Sequence, residues 1–419
     1  MSQFPASLQE VALIRLLASI GAGGVIYMTP LIFNAESLSA TEVGLGLSLA
    51  ALTGILSRLI CGLLLDRGVT CSWPVRAAAL LAISGDLVLF HADSFSVYLQ
   101  GQMMLGMAAG LYWPAIELSV PLSCEGFPSS QGYALVRTAD AMGIGLGAIA
   151  GSITAAMGVI RWVYPLELIC MTLLLALLIA RPLPDARASM LQMETESHSN
   201  AAAPEAKGLF LWLKPLLPLM MITLVATAMM ALLQSALPLD MVHGGLSRPA
   251  LNASWSGGLI AMQLALLVVL QWPVGRWLAD CSLRFGLGVS LVAFSVGGLL
   301  LGLSALWTEG IVLLVLALIA IAFAQAAFLP TATEAVIEET PPEHRGLGMA
   351  LFSQCFAISA IAAPLAAGKL LDLHGNGVLV WIVMACLCLA MLPLLKAIKP
   401  RYDAAGPLNP HTTIEPVGQ

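Results

Sequence analysis

The sequence predicts an all-α membrane protein of twelve transmembrane helices in two related six-helix bundles, and three observations carry that reading. Only 10% of the 419 residues are charged, 59% are hydrophobic, and the mean hydropathy is +0.91. So few charges cannot clothe a soluble globule of this size, so its apolar surface must face lipid. The apolar residues fall into segments of about 20, the length that crosses a hydrocarbon core. Short motifs recur at a fixed offset between the first and second halves.

Cutting at Pro, Gly and charge clusters gives spans near 11–33, 43–65, 74–92, 96–120, 131–157 and 162–180. The second set lies near 211–239, 253–277, 285–305, 310–335, 346–370 and 377–397. Each must be helical, because a segment in lipid has to satisfy its own backbone hydrogen bonds. Between the sets runs "RPLPDARASMLQMETESHSNAAAPEAKG", residues 181–208, the longest polar stretch in the chain. The expected organisation is an N-terminal bundle over 1–180, a cytoplasmic linker over 181–208, a C-terminal bundle over 209–398 and a cytoplasmic tail over 399–419. The opening "MSQFPASLQE" carries Glu10 and no basic run, so the first helix is expected to stay in the mature protein.

With both termini cytoplasmic, Arg161, Arg248 and Lys369 fall on the outer side and the other fifteen of the eighteen basic residues at or near the inner side. The positive-inside rule favours that orientation. The expected location is the inner or plasma membrane. A net charge of −6, spread along the chain, gives no reason to expect nucleic acid. The eight cysteines show no CxxC spacing and the six histidines no i, i+4 pair, so neither a metal nor a cofactor is expected. An ATP-driven pump would need a GxxxxGK[ST] loop, and a channel a repeated filter or charged ring; neither is present. No HExxH, GxSxG or paired-carboxylate motif appears in the spans, so no catalytic residue is assigned and an enzyme is not expected.

"GLLLDR", residues 62–67, places Asp66 and Arg67 just past the second span, and "PVGRWLADCSLRFG", residues 273–286, places Asp280 just past the eighth, 214 positions later. "GYAL" at 132–135 matches "GMAL" at 348–351, and Pro114 matches Pro330, both at an offset of 216. With six spans on each side, these matches indicate an internal duplication, the trace of a transporter built from two related bundles. An acid at a helix C-terminus is disfavoured by the dipole unless something holds it. Asp66 and Asp280 are therefore expected to latch onto the N-terminus or an Arg of a neighbouring helix, biasing a two-state equilibrium; a plain polar turn is the alternative.

These residues resemble the major facilitator superfamily. Its signature after the second helix, Gly-x-Leu-Ala-Asp-Arg followed by basic residues, is similar to Gly62–Arg67, and "RWLAD" at 276–280 is a weaker copy near Arg284. "PPEHRGLGMAL", residues 341–351 with Arg345, resembles the family's entry into its eleventh helix. The chain departs from the family in the delayed basic tail, with none between Gly68 and Pro74, and in Gln102 where the family often has an Arg. The resemblance implies a secondary transporter that works by alternating access, with a small-molecule substrate, coupling protons and the lipid bilayer as partners, and a monomer.

Within the spans, Arg137 and Asp140 are spaced to pair at i, i+3, and Glu117 is close enough in topology to join them. A proton or substrate relay and a structural charge cluster at the rim are the two readings, with Asp140 the first choice as proton carrier and Glu117 the second. Arg15 and Arg58 are expected to snorkel to the inner interface. The resemblance makes the third and sixth helices, which carry Asp86 and Glu167, outer supports. It makes the first, fourth, seventh and tenth helices cavity-lining, which implies an aromatic and amide lining for part of the set Tyr27, Tyr112, Trp113, Gln234, Gln263, Gln325 and Gln354. The candidates are Tyr27, Tyr112, Trp113, Gln234, Gln325 and, on the eleventh helix, Gln354; interfacial belts and interhelical hydrogen bonds are the alternatives. Gly143, Gly145, Gly147 and Gly151 in "GIGLGAIAG" form a small-residue face for close helix approach. Family antiporters often have a Gly-Pro pair in this helix, and this chain has none. Few fixed charges suit a neutral or amphipathic solute, so the expected function is proton-coupled export of drugs or metabolites by antiport. The alternative is an uptake symporter or facilitator, or a lipid-handling transporter.

Overall fold

A computed structural model describes residues 4–36, 38–124, 129–183, 206–279, 281–340 and 345–398. Asp280 lies outside the described residues, as do the side chains of Asp66 and Arg345. The N-terminal bundle contains α1 (Ala6–Ala35), α2 (Ala40–Asp66), α3 (Ser72–Phe90), α4 (Phe95–Leu122), α5 (Ser129–Ala156) and α6 (Val163–Ala180). The C-terminal bundle contains α7 (Ala206–His243), α8 (Ala253–Ala279), α9 (Leu283–Ser304), α10 (Ile311–Glu339), α11 (Arg345–His374) and α12 (Val378–Met391), which runs on into a 3-10 segment (Leu392–Ala397). Among the described residues, twelve helical spans are long and apolar enough to cross a membrane.

Several helices outrun their hydropathy-based spans, because caps and turns set helix ends while hydropathy marks only the part that meets lipid. α2 starts at a capping box: Ser39 Oγ accepts from Glu42 N at 3.2 Å, and Glu42 Oε2 accepts from Ser39 N at 2.9 Å. It ends at Gly68, whose φ of +82° is a left-handed conformation that glycine adopts without Cβ strain. There Gly68 N donates to Leu65 O at 2.9 Å and Val69 N to Leu64 O at 3.1 Å.

The two bundles repeat one packing plan. α1 lies against α5 and α2 against α4, as α7 lies against α11 and α8 against α10; α3 touches α4 and α6, as α9 touches α10 and α12. Across the middle, α2 meets α11 and α5 meets α8. The tight α1–α5 crossing depends on missing side chains. A Cβ on Gly143 would come 2.6 Å from Ser19 Cβ, and one on Gly147 2.2 Å from Ile20 O. Gly151 abuts Met28, whereas Gly145 meets nothing within 4 Å, so it takes no part in the close-packed face expected of it. Gly147→Val should therefore cost about 1–3 kcal/mol by overpacking. A thermal unfolding midpoint unchanged from wild type would contradict that crossing.

At the end of the molecule opposite the start of α1 and the finish of α12, the distal end, a buried ionic knot closes the C-terminal bundle. Arg248 Nη2 lies 3.2 Å from Asp240 Oδ2, with both side chains 1% exposed. Gly377 N and Trp381 Nε1 donate to the same carboxylate at 2.9 and 3.1 Å, tying α7 to the start of α12. In the N-terminal bundle Arg161 pairs with Glu36 and donates to Phe90 O and Ala92 O. Two of the residues assigned to the outer face by charge therefore act as structural staples.

Candidate functional site

α1, α2 and α4 of one half face α7 and α11 of the other across a cavity of about 370 Å³. Most of its wall is Ala, Gly, Leu, Val and Ile, which leaves room because small residues face inward. The polar groups are few: Thr29 on α1, Arg58 on α2, Gln102 on α4, and Gln234 and Ser235 on α7, with the Trp113 ring beside them. Among the described residues, Arg58 is the only ionisable one on this wall. Such a chamber is mainly apolar with a few orienting groups, the usual character of a small-molecule site.

The distal end of this chamber is sealed by contacts between the halves. Asp372, on the last turn of α11, accepts from Ala40 N at 2.9 Å, from Thr41 N at 2.7 Å and from the Thr41 hydroxyl. Those two amides are among the donors at the start of α2 that have no partner within their own helix, and the carboxylate also meets the positive end of the helix dipole. One turn and more deeper, Ser48 Oγ donates to Ile361 O at 2.6 Å, and Gly44 and Gly368 bring the two backbones together. On the other diagonal Ser152 Oγ donates to Ser254 O at 2.7 Å, and His243 Nε2 lies 2.6 Å from Asn34 Oδ1. Every hydrogen bond between the halves among the described residues lies in the distal half of the molecule.

A second cavity, of about 210 Å³, lies inside the N-terminal bundle, separated from the first by Val25, Ile26, Leu105, Ala109 and Trp113, which line both. Arg15 lies on its wall, 4% exposed, with Nη2 2.8 Å from Asp140 Oδ1. The α1–α5 crossing explains the meeting: Gly143 admits Ser19, so Arg15, one turn before Ser19, reaches Asp140, one turn before Gly143. Ser19 Oγ also donates to Asp140 Oδ1 at 2.6 Å, and the Arg15 guanidinium lies 3.6 Å from the Trp113 ring centroid and 5.4 Å from that of Tyr112.

This geometry corrects several expectations. Arg15 does not snorkel; it is buried, because a carboxylate and two aromatic faces satisfy it where the bundle is tightest. Arg137 does not pair with Asp140: it turns to Glu117, at 3.4 Å, with 63% and 32% of the two side chains exposed, a pair of small energetic weight. The expected three-residue cluster is thus two separate pairs. Arg58, by contrast, is exposed, as a snorkelling side chain would be, and also borders the central cavity, with Glu117 in electrostatic range.

Of the lining candidates, Trp113 and Gln234 reach the central cavity and Tyr112 the bundle cavity. Tyr27 is 4% exposed among apolar core residues, Gln325 accepts from Gln263 Nε2 at 2.7 Å inside the C-terminal bundle, and Gln354 is exposed outside both cavities. Among the motif residues, Gly62 faces open space, Arg67 is exposed, and Arg284 donates to Ile398 O, just past the 3-10 segment that follows α12. Thr29, Gln102, Ser235 and Asp372 were not anticipated as functional groups. Asp372 was within reach of the helix-dipole reasoning applied to Asp66, since it too is an acid at a helix C-terminus.

The Major Facilitator Superfamily model matches residues 219–414. No curated protein matches the sequence. The fold is similar to that of the nucleoside transporter NupG, with a TM-score of 0.77 at 12% identity over 94% of this chain and 99% of that one. It is also similar to a POT family transporter in complex with 5-aminolevulinic acid, with a TM-score of 0.77 at 12% identity over 94% and 97% of the two chains. A peptide transporter POT in complex with sulfate gives a TM-score of 0.70 at 15% identity over 94% and 96%.

Proposed function

We propose that this chain, a secondary transporter of the major facilitator type and an integral membrane protein, carries a small neutral or amphipathic solute out of the cell in exchange for protons. The observation that carries the reading is the chamber between the halves: about 370 Å³, walled by both bundles, mostly apolar and bearing one cation and two amides. Such a site fits a solute with an apolar body and one hydrogen-bond-accepting or weakly anionic end, directed to Arg58, Gln102 and Gln234. The end where α1 starts and α12 finishes is assigned to the cytoplasm by the distribution of basic residues. On that assignment the chamber is sealed from outside, and its reopening there requires the Asp372 contacts to break. Asp66 and Asp280 are the corresponding latches proposed for the cytoplasmic end, and Asp140 is the proposed proton carrier.

A thermal-shift screen of the purified protein over sugars, organic anions, lipids and cationic drugs identifies the class. For a ligand so found, Arg58→Gln and Gln234→Ala should each weaken binding about 10- to 100-fold, the effect of removing a hydrogen-bond partner, larger where the partner is charged. Affinity unchanged in both variants would place binding elsewhere. In proteoliposomes, solute expulsion driven by an imposed pH difference supports export; accumulation alongside protons supports uptake symport instead.

A further inference from the structure

Among the described residues, two carboxyl groups inside the N-terminal bundle have no cation to neutralise them. Asp86 on α3 is 1% exposed and Glu167 on α6 is 4% exposed, and the two side chains lie within hydrogen-bonding reach of each other. Neither oxygen of Asp86, nor Oε2 of Glu167, has a donor among the described residues, and neither residue joins an ion pair there. Both sit about four residues, or roughly 6 Å along the helix, inside the distal ends of their helices. Two ionised carboxylates in that position would each lose their hydration and repel one another. One proton between them removes a charge and gives an oxygen on each side a hydrogen-bond partner.

From this placement we infer that Asp86 and Glu167 form a proton-binding site, shared between α3 and α6 and holding one proton between the two carboxyls. The 210 Å³ cavity, large enough for several waters, is lined by Glu167 at one end and by Arg15 and Asp140 at the other, and supplies a route. On the other side Thr29, which lines the central chamber, lies 3.1 Å from the Tyr164 hydroxyl, and Tyr164 is in electrostatic range of Asp86. The titratable and charged groups around the pair are Tyr164 and Cys170 on α6, Tyr98 on α4 beyond Tyr164, Arg15 on α1 and Asp140 on α5 across the cavity, and the Arg161–Glu36 pair at the rim. α1 presses directly on the site, since a Cβ on Gly21 would come 2.9 Å from Glu167 Cγ and 3.0 Å from its Cα. Movement of α1, which also carries Thr29, therefore changes the packing over the proton.

The site is distinct from the coupling proposed at Asp140, and either can fail alone. Infrared spectra of the full-length protein in nanodiscs, in H2O and D2O at neutral pH, read the carbonyl band of a protonated carboxylic acid directly. Wild type should show such a band, and the isosteric Asp86→Asn/Glu167→Gln double variant should lose it while eluting and unfolding as a folded protein. Gly21→Ala, which removes no carboxyl, should shift the band, and it keeps the test decisive if the double variant does not fold. Identical carbonyl spectra in wild type and double variant, or in wild type and Gly21→Ala, overturn the site. Thermal stability that rises with sodium at constant ionic strength in wild type and not in the double variant, without a protonated band, overturns it in favour of a monovalent cation. Solute transport indifferent to pH in a protein whose band behaves as expected retires coupling at Asp140 and leaves the proton site standing.

Discussion

Asp140→Ala is expected to lower the stability of the folded protein by about 3–5 kcal/mol, the range for removing one partner of a buried ion pair. The loss comes from Arg15, whose side chain is 5% exposed and would remain charged against Trp113 and Tyr112 with no carboxylate. Arg15→Met combined with Asp140→Leu should recover most of that loss, because exchanging a whole buried pair for apolar residues of similar volume is often neutral or stabilising. Thermal unfolding in matched detergent measures both. If the single variant is as stable as wild type, the pair is not dry enough to matter. Transport separates structure from coupling. Asp140→Asn keeps an acceptor for Ser19 and Arg15, so it should still move solute down its gradient but no longer respond to an imposed pH difference. An Asp140→Asn protein that keeps the wild-type pH response would exclude Asp140 as proton carrier.

Asp372→Ala should release the distal seal and shift the conformational equilibrium towards distal-open states about 10- to 100-fold. One carboxylate accepts from two backbone amides and a hydroxyl at the start of α2. Hydrogen bonds to a charged group contribute about 1.5–3 kcal/mol each when buried, but this site is partly exposed, so about 1.4–3 kcal/mol is the expected total. Pulsed electron resonance distances between spin labels on the distal ends of α2 and α11, in a background lacking the eight native cysteines, report the populations. α2 also carries Asp66 at its far end, the residue proposed above as a latch on that side. An unchanged distance distribution would remove Asp372 from the seal.

What the sequence by itself determined is everything that lipid dictates. Twelve helices follow from the length and hydropathy of the segments, since backbone polar groups in hydrocarbon have no other way to be satisfied. The pairing of the two halves was readable in the offset between "GYAL" and "GMAL" and between Pro114 and Pro330, which fall at matching places in α5 and α11 and in α4 and α10. What only the tertiary structure decided is which polar group meets which. Spacing placed Asp140 one turn from Arg137, but the glycines of α5 let α1 approach so closely that Arg15, 125 positions away in sequence, takes the carboxylate instead. Likewise Gln325 and Gln234 both sit on helices expected to line the chamber, yet Gln325 is turned to Gln263 while Gln234 faces the cavity. The physical reason is rotation. In water an amphipathic stripe marks a helix's inner face, but a spanning helix is apolar all round, so its orientation is set by close packing of small residues against distant partners.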